Sequence, residues 1–250
     1  MLYFIVPLRS RAASKDWDKV SRLCERTLRS LCQQTSSQFR VFLVCRDRPE
    51  MNFAHPNLRI IQEDFPIPEA NKMPQLVDKT RKLRRALIAV REVGGGFVMG
   101  VDADDLVHRA LASLVEANPK SDGWFFPYGY SYEEGGQWLE RHSDFYLRCG
   151  TSNIIRIDPD DLPPDMDSPR EKYFFLCNGH HIIVDFLARQ GRPLKALPFP
   201  GAIYVKDTGE NWSGPPLKGL GVRAHVARFS RMRPLTPRQR AIFGIRPLGI

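Results

Sequence analysis

The chain predicts an α/β fold whose Rossmann-like sheet is flanked by helices. Two observations carry that reading. Apolar runs of strand length alternate with helical periodicities through the first hundred residues, the pattern of a mostly parallel sheet with helices on both faces. The 250 residues, 42% hydrophobic and 26% charged, are enough for one sizeable core.

The elements follow in order. Residues 2–8 are an apolar run that ends at Arg9-Ser10-Arg11, as a buried strand and its exit loop would. Val20, Leu23, Cys24, Thr27, Leu28 and Leu31 recur at three- and four-residue steps and mark an amphipathic helix. Residues 39–44 and 58–61 read as further strands. A helix opens at Met73, with Pro74 tolerated in its first turn, and runs along Leu76, Val77, Leu83, Leu87 and Val90. Gly94-Gly95-Gly96 ends it, and residues 97–101 form the next strand. After Leu106 the alternation changes. We expect a helix over 110–117, a strand over 124–130, a hairpin turn at Gly135-Gly136 and a strand over 153–157. A Pro/Asp-rich loop over 158–169, a helix over 180–189 and a strand over 202–205 complete the compact part. From residue 214 the chain is rich in Gly, Pro and Arg, so 214–250 reads as a basic arm beyond a domain spanning 1–213.

Composition narrows the function classes. The longest apolar runs are too short to cross a bilayer, and the amino terminus reaches Pro7 and Arg9 without a leader-like stretch. A cytoplasmic location is the resulting expectation. The five cysteines (Cys24, Cys32, Cys45, Cys149, Cys177) are scattered, which argues for reduced thiols and against a zinc site. A net charge of +9 suits an anionic partner: a nucleotide diphosphate, a lipid phosphate, a membrane surface or a nucleic acid.

The strongest chemical signal is Asp102-Ala103-Asp104-Asp105, at the end of the strand over 97–101. In parallel sheets ligands bind beyond the carboxyl ends of the strands. Three adjacent carboxylates repel one another, and a cation is the simplest means of keeping them ionised. Mg²⁺ or Mn²⁺ would accept these oxygens and keep other positions for phosphate. The competing reading is that Asp104 or Asp105 caps the following helix, and the two roles are compatible. Lys79, Arg81, Lys82, Arg84 and Arg85 lie on the preceding helix, where one or two could reach a diphosphate but a solvated face is the favoured reading. Arg223, Arg228, Arg231, Arg233, Arg238, Arg240 and Arg246 interleave with apolar residues. That pattern suits peripheral contact with an anionic inner membrane face, or docking on a partner or on the protein's own acidic patches.

With these residues in view, the chain resembles a family 2-type glycosyltransferase of GT-A fold. Phe4-Ile5-Val6-Pro7 with Arg9-Ser10-Arg11 is similar to the family's first strand and nucleotide loop. Leu28-Arg29-Ser30-Leu31-Cys32-Gln33-Gln34-Thr35 is similar to its SLxxQT helix end, and Phe39 to Val44 to its second strand. Asp102-Ala103-Asp104-Asp105 resembles its DxD signature, and Tyr204 to Ser213 a variant of its closing segment. The resemblance implies a nucleotide-binding half over 1–106 and an acceptor half over 107–213. It further implies a UDP- or dTDP-type sugar donor, a glycan or lipid-linked acceptor, Mn²⁺ or Mg²⁺, and inverting transfer. Pro7, Arg9, Arg11 and Asp47 would line the nucleoside pocket, with Asp102, Ala103 and Asp104 at the diphosphate. Asp102, Asp104 and Asp105 would bind metal, with Asp207 in place of the family's late histidine, although on local grounds Asp207-Thr208-Gly209 reads rather as a plain turn.

The chain departs from the family at the general base, where Gly179-His180-His181 stands in place of Gly-Glu-Asp. A histidine near its reference pKa can take a proton at neutral pH. His180 and His181 are therefore the candidates, weighed against a packing role, with Asp185 in reserve and Asp144 after it. Trp212 offers a stacking face or a packing contact. One alternative is nucleotidyl transfer, which would use a similar sheet and metal but a Gly-rich loop that residues 8–13 lack. The others are a basic nucleic-acid-binding module, which lacks a recognition signature and leaves the aspartates unexplained, and a degenerate transferase that binds nucleotide without turnover.

Overall fold

The computed structural model describes residues 1–69, 71–168, 179–209 and 228–248. β1 (Leu2–Pro7) sits centrally in a seven-stranded sheet, with β2 (Phe39–Cys45) parallel on one side and β4 (Gly96–Gly100) parallel on the other. β3 (Leu58–Gln62) extends the sheet beyond β2. On the far side, β9 (Asn153–Ile157) runs antiparallel to both β4 and β6 (Gly123–Phe125), and β10 (Lys195–Ala196) pairs parallel with β6. The sheet is thus mostly parallel with one reversed strand, and the expected α/β class holds.

Both faces are covered, as parallel strands require. Leu2, Phe4 and Val6 of β1 pack with Val20, Cys24, Leu28 and Leu31 of α1 (Trp17–Cys32). Tyr3 and Ile5, one residue out of phase, pack with Leu83, Ala86, Leu87 and Val90 of α2 (Lys72–Glu92). α2 ends where Gly94, Gly95 and Gly96 all take positive φ, a turn that other residues adopt only under strain. That tight turn feeds β4 directly into the aspartates.

The second half departs from expectation in one instructive place. Residues 124–130 form two strands in different sheets, because Pro127 has no N–H to continue a ladder. β6 ends at Phe125, and β7 (Gly129–Glu133) starts a five-stranded sheet. β7 forms the expected hairpin with β8 (Trp138–His142) through Gly135 and Gly136. β11 (Ala202–Lys206) lies between β7 and the short β5 (Leu106–Val107). α3 (Leu111–Ala117) lies where a helix was expected. α4 (Ile183–Arg189) begins three residues later than the sequence suggests.

The described part of the expected arm is built into the fold. β12 (Met232–Pro234) pairs with β8, and α5 (Pro237–Phe243) is held by a Thr236–Gln239 capping box. Leu235, Phe243 and Ile245 join Leu106, Leu139 and Ile203 in a third core cluster. Arg231 pairs with Glu140 at 2.9 Å, and Arg228 pairs with Glu133 and Glu140, so these arginines dock on the protein's own acidic residues. Arg26 of α1, 3% exposed, makes a bidentate pair with Glu134 at 3.0 and 2.7 Å, which ties the first layer to the β7–β8 turn. No described helix is long and apolar enough to cross a membrane. Cys177, Trp212 and Arg223 lie outside the described residues.

Candidate active site at the carboxyl ends of β1 and β4

The order β3-β2-β1-β4 places the exits of β1 and β4 side by side, where adjacent loops diverge and leave a crevice. A cavity of about 190 Å³ opens there. That is several times the ~30 Å³ of one liquid water, too large for a packing defect. Pro7, Leu8 and Arg9 line it from β1, and Asp102, Ala103 and Asp104 from β4. Gln75, Asp78, Lys79 and Lys82 enter from α2, and Tyr204 from β11.

The aspartate loop is fixed from three directions. Thr27 of α1 donates to the Ala103 carbonyl at 3.0 Å. Thr151 accepts from the Asp102 amide at 3.0 Å and donates to Asp105 Oδ2 at 2.6 Å. Asp105 also accepts from Cys149 Sγ at 3.1 Å and from the Val205 amide at 3.2 Å. Asp105 is fully buried and is not among the residues that line the cavity. Its carboxyl is raised well above the usual range by burial and by the charges of Asp104 and Asp102. Adjacent aspartates therefore stand in opposite environments, with Asp105 turned into the scaffold and Asp102 and Asp104 facing the cavity.

Burial and the neighbouring Asp102 charge lift the Asp104 carboxyl to about 6. Asp102 is ion-paired with Lys79. Below them Lys82, 1% exposed, pairs with Asp78 at 2.6 Å. The expectation of a solvated basic face on α2 is thus corrected: Lys79 and Lys82 face the cavity, Arg84 donates to the carbonyls of Asp165 and Ser168, and Arg85 pairs with Glu63. Asp78 Oδ1 is buried with no hydrogen-bond partner among the described residues, an acceptor open to a ligand hydroxyl or N–H.

His180 does not line the cavity but stands beside Asp102 and Lys79 at Gly150. A methyl group built on Gly150 would lie 3.4 Å from Asp102 Oδ2 and 3.9 Å from both His180 Nδ1 and Lys79 Nζ. The three side chains therefore flank one point, which glycine leaves open. His180 Nε2 lies 3.4 Å from the Leu147 carbonyl, which can only accept. That contact assigns the ring proton to Nε2 and leaves the Nδ1 lone pair toward Gly150. Burial holds the imidazole below its ordinary pKa, against the smaller opposing pull of Leu147 and Asp102, so it is neutral at pH 7.

The remaining sequence candidates lie elsewhere. His181 is exposed, its ring edge-on to His180 at 5.6 Å. Asp185 is exposed in the first turn of α4. Asp144 pairs with Arg148 at 2.8 Å. Asp47 accepts from the Arg11 amide at 2.8 Å and so shapes the β1 exit loop, but neither residue lines the cavity. Asp207 is exposed in the turn after β11, with φ at 58°, and does not line it either.

Among the described residues no three His, Cys, Asp or Glu side chains are gathered as a metal site. The cavity does offer the two carboxylates of Asp102 and Asp104. Mg²⁺-type ions commonly take one or two carboxylates and complete their shell with substrate phosphate and water. The charges agree with that division. Arg9, Lys79 and Lys82 balance Asp78, Asp102 and Asp104, so the cavity is near neutral as built. An incoming diphosphate would leave a negative excess that a divalent ion fits.

No family model matches the chain, and no curated protein matches it. Among solved structures it is similar to S. aureus TarS 1–349 in complex with UDP-GlcNAc, at 16% identity and a TM-score of 0.42, over 88% of this chain and 61% of that one. It is also similar to Francisella tularensis 2-C-methyl-D-erythritol 4-phosphate cytidylyltransferase, at 13% identity and a TM-score of 0.41, over 85% and 94% of the two chains. A putative glucose-1-phosphate thymidylyltransferase from Bacillus anthracis aligns at 11% identity and a TM-score of 0.42, over 80% and 88%. The chain spans about three fifths of the length of TarS 1–349.

Proposed function

We propose that this protein is a glycosyltransferase of the family 2 type, taking a sugar from a nucleoside diphosphate donor to a hydroxyl acceptor. The observation that carries the reading is that Asp102, Asp104 and Lys79 line one crevice at the ends of β1 and β4, with His180 Nδ1 beside Asp102 and Lys79 at Gly150. Pro7, Leu8 and Arg9 form the wall against which the nucleoside lies. Asp102 and Asp104 are the residues that would hold Mn²⁺ or Mg²⁺, and Asp105 supports them from below. When bound, the ion supplies the positive charge that steadies the departing diphosphate.

The chain's own residues account for the rest. His180 Nδ1, unprotonated at pH 7, takes the proton of the acceptor hydroxyl. The acceptor oxygen forms its bond to the anomeric carbon as the bond from that carbon to the diphosphate oxygen breaks. The nucleoside diphosphate leaves with the bonding pair, and attack from the opposite face inverts the centre. The small side of Gly150 leaves room for the acceptor between His180 and Asp102. Asp78 Oδ1 is placed to accept from a donor hydroxyl.

The test is thermal stability with Mn²⁺ and a panel of nucleoside diphosphates and sugar nucleotides, UDP-GlcNAc among them. A ligand at 100 times its Kd adds about 2.7 kcal/mol of stability. We expect a metal-dependent rise with one nucleotide, lost in Asp104→Ala. Stabilisation by oligonucleotide alone, with no response to any nucleoside diphosphate, would refute the assignment in favour of a nucleic-acid-binding protein.

A further inference from the structure

A cation already stands on the carboxylate that a metal would need. Lys79 Nζ pairs with Asp102 Oδ1, while Asp102 Oδ2 and His180 Nδ1 face the same gap at Gly150. Lys79 reaches the site from α2, an element separate from the aspartate loop, and 39% of its side chain is exposed. It can therefore swing without disturbing the strand end. Its neighbour Lys82, one turn apart in space, cannot: it is sealed at 1% exposure against Asp78. Burial opposes the charge of Lys79, and the pull of Asp102, joined by Asp105 and Cys149, outweighs it.

We propose that Lys79 is a positioning residue that holds Asp102 in reserve: it occupies the carboxylate while the cavity is empty and moves to the donor's diphosphate when the nucleotide enters. This rests on the nucleotide-sugar reading above. The physical consequence is a pair of effects with opposite signs. A divalent ion arriving alone must compete with the ammonium for Asp102, so it binds weakly. An ion arriving with a diphosphate meets a freed Asp102, because the phosphate oxygens give Lys79 a second anion to pair with. Removing the ammonium should thus tighten the bare ion and loosen the nucleotide. A merely structural lysine would weaken both.

The experiment is Mn²⁺ titration of the full chain, followed by the electron paramagnetic resonance signal of free Mn²⁺, with and without UDP or dTDP. It compares the wild type with Lys79→Met and Lys79→Arg, and Lys79→Gln replaces the methionine variant if that variant does not fold. We expect wild-type affinity for Mn²⁺ alone to improve at least tenfold in Lys79→Met, while nucleotide affinity in the presence of Mn²⁺ falls at least tenfold. Lys79→Arg should stay close to wild type in both. Unchanged or weaker binding of Mn²⁺ alone in Lys79→Met overturns the proposal, as does unchanged nucleotide affinity. If the wild type binds neither nucleotide at any Mn²⁺ concentration, it is the transferase reading that fails, and this inference with it.

Discussion

Replacing Asp105 by alanine should unfold the site rather than merely empty it. Asp105 is fully buried and accepts from Thr151 at 2.6 Å, Cys149 at 3.1 Å and the Val205 amide at 3.2 Å. Those donors belong to two segments, the 149–151 loop and β11, and Thr151 in turn accepts from the Asp102 amide of the aspartate loop. Removing a buried acceptor costs about 1–3 kcal/mol for each well-made bond left behind. The thiol contributes little, and loss of a buried carboxylate returns part of its desolvation cost. The net for Asp105→Ala is on the order of 2–4 kcal/mol. In a chain of this size that lowers the melting temperature by roughly 5–15 °C. Asp104→Ala faces the cavity and relieves repulsion with Asp102, so its stability should stay within about 0.5 kcal/mol of wild type or rise. Urea unfolding of both variants in EDTA measures the contrast. An Asp105→Ala protein as stable as wild type, but unable to bind Mn²⁺ with nucleotide, would refute the division between scaffold and ligand aspartates.

Other consequences are as direct. The Asp104 carboxyl titrates at about 6 in the native protein against 3.8 when unfolded. Its contribution to stability is therefore present below pH 3.8 and lost as pH rises through about 6. Metal-free wild type should lose stability over that window relative to Asp104→Asn, as read from chemical denaturation across pH. With His180 held below its ordinary pKa, the acid limb of the transfer rate should lie below pH 6.5. It should vanish in His180→Gln and persist in His181→Gln, and equal rates in both variants would remove His180 from the chemistry. Arg26→Ala breaks a pair whose partners are 3% and 16% exposed and should cost about 3–5 kcal/mol. Arg26→Met with Glu134→Leu should recover most of that loss, measured by calorimetry.

The legible parts of this chain are those whose neighbours in space are also neighbours in pattern. β1, β2, β4 and α1 announce themselves because a covered strand and an amphipathic helix each repeat one local rule. The aspartates could be read for the same reason: they follow a buried strand, and parallel sheets expose that end. The basic residues of α2 mislead because a helix with Leu83 and Leu87 inward normally wets its lysines. Lys79 and Lys82 turn inward only because carboxylates wait there, one of them 23 residues further along the chain. The i,i+4 pair Asp78–Lys82 was the available local hint. Asp104 and Asp105 look alike in sequence, and the donors that separate them, Thr151 and Val205, lie 46 and 100 residues away. Strand 124–130 split for a local reason, Pro127, that was visible from the start. By contrast β5 and β10 are two residues long and carry no periodicity at all. The carboxyl-terminal segment reads as an arm because its arginines outnumber its acids. Its partners, Glu133 and Glu140, sit on the β7–β8 hairpin, so only the fold shows them paired.

The central claim concerns where the diphosphate sits and what faces it. Crystals grown with Mn²⁺ and UDP or dTDP, measured at the manganese edge, test it most directly. The account predicts one anomalous peak bonded to Asp102 and Asp104, with the diphosphate on it and the nucleoside against Pro7 to Arg9. A peak bonded to Asp105, or a nucleotide bound away from the ends of β1 and β4, would contradict it.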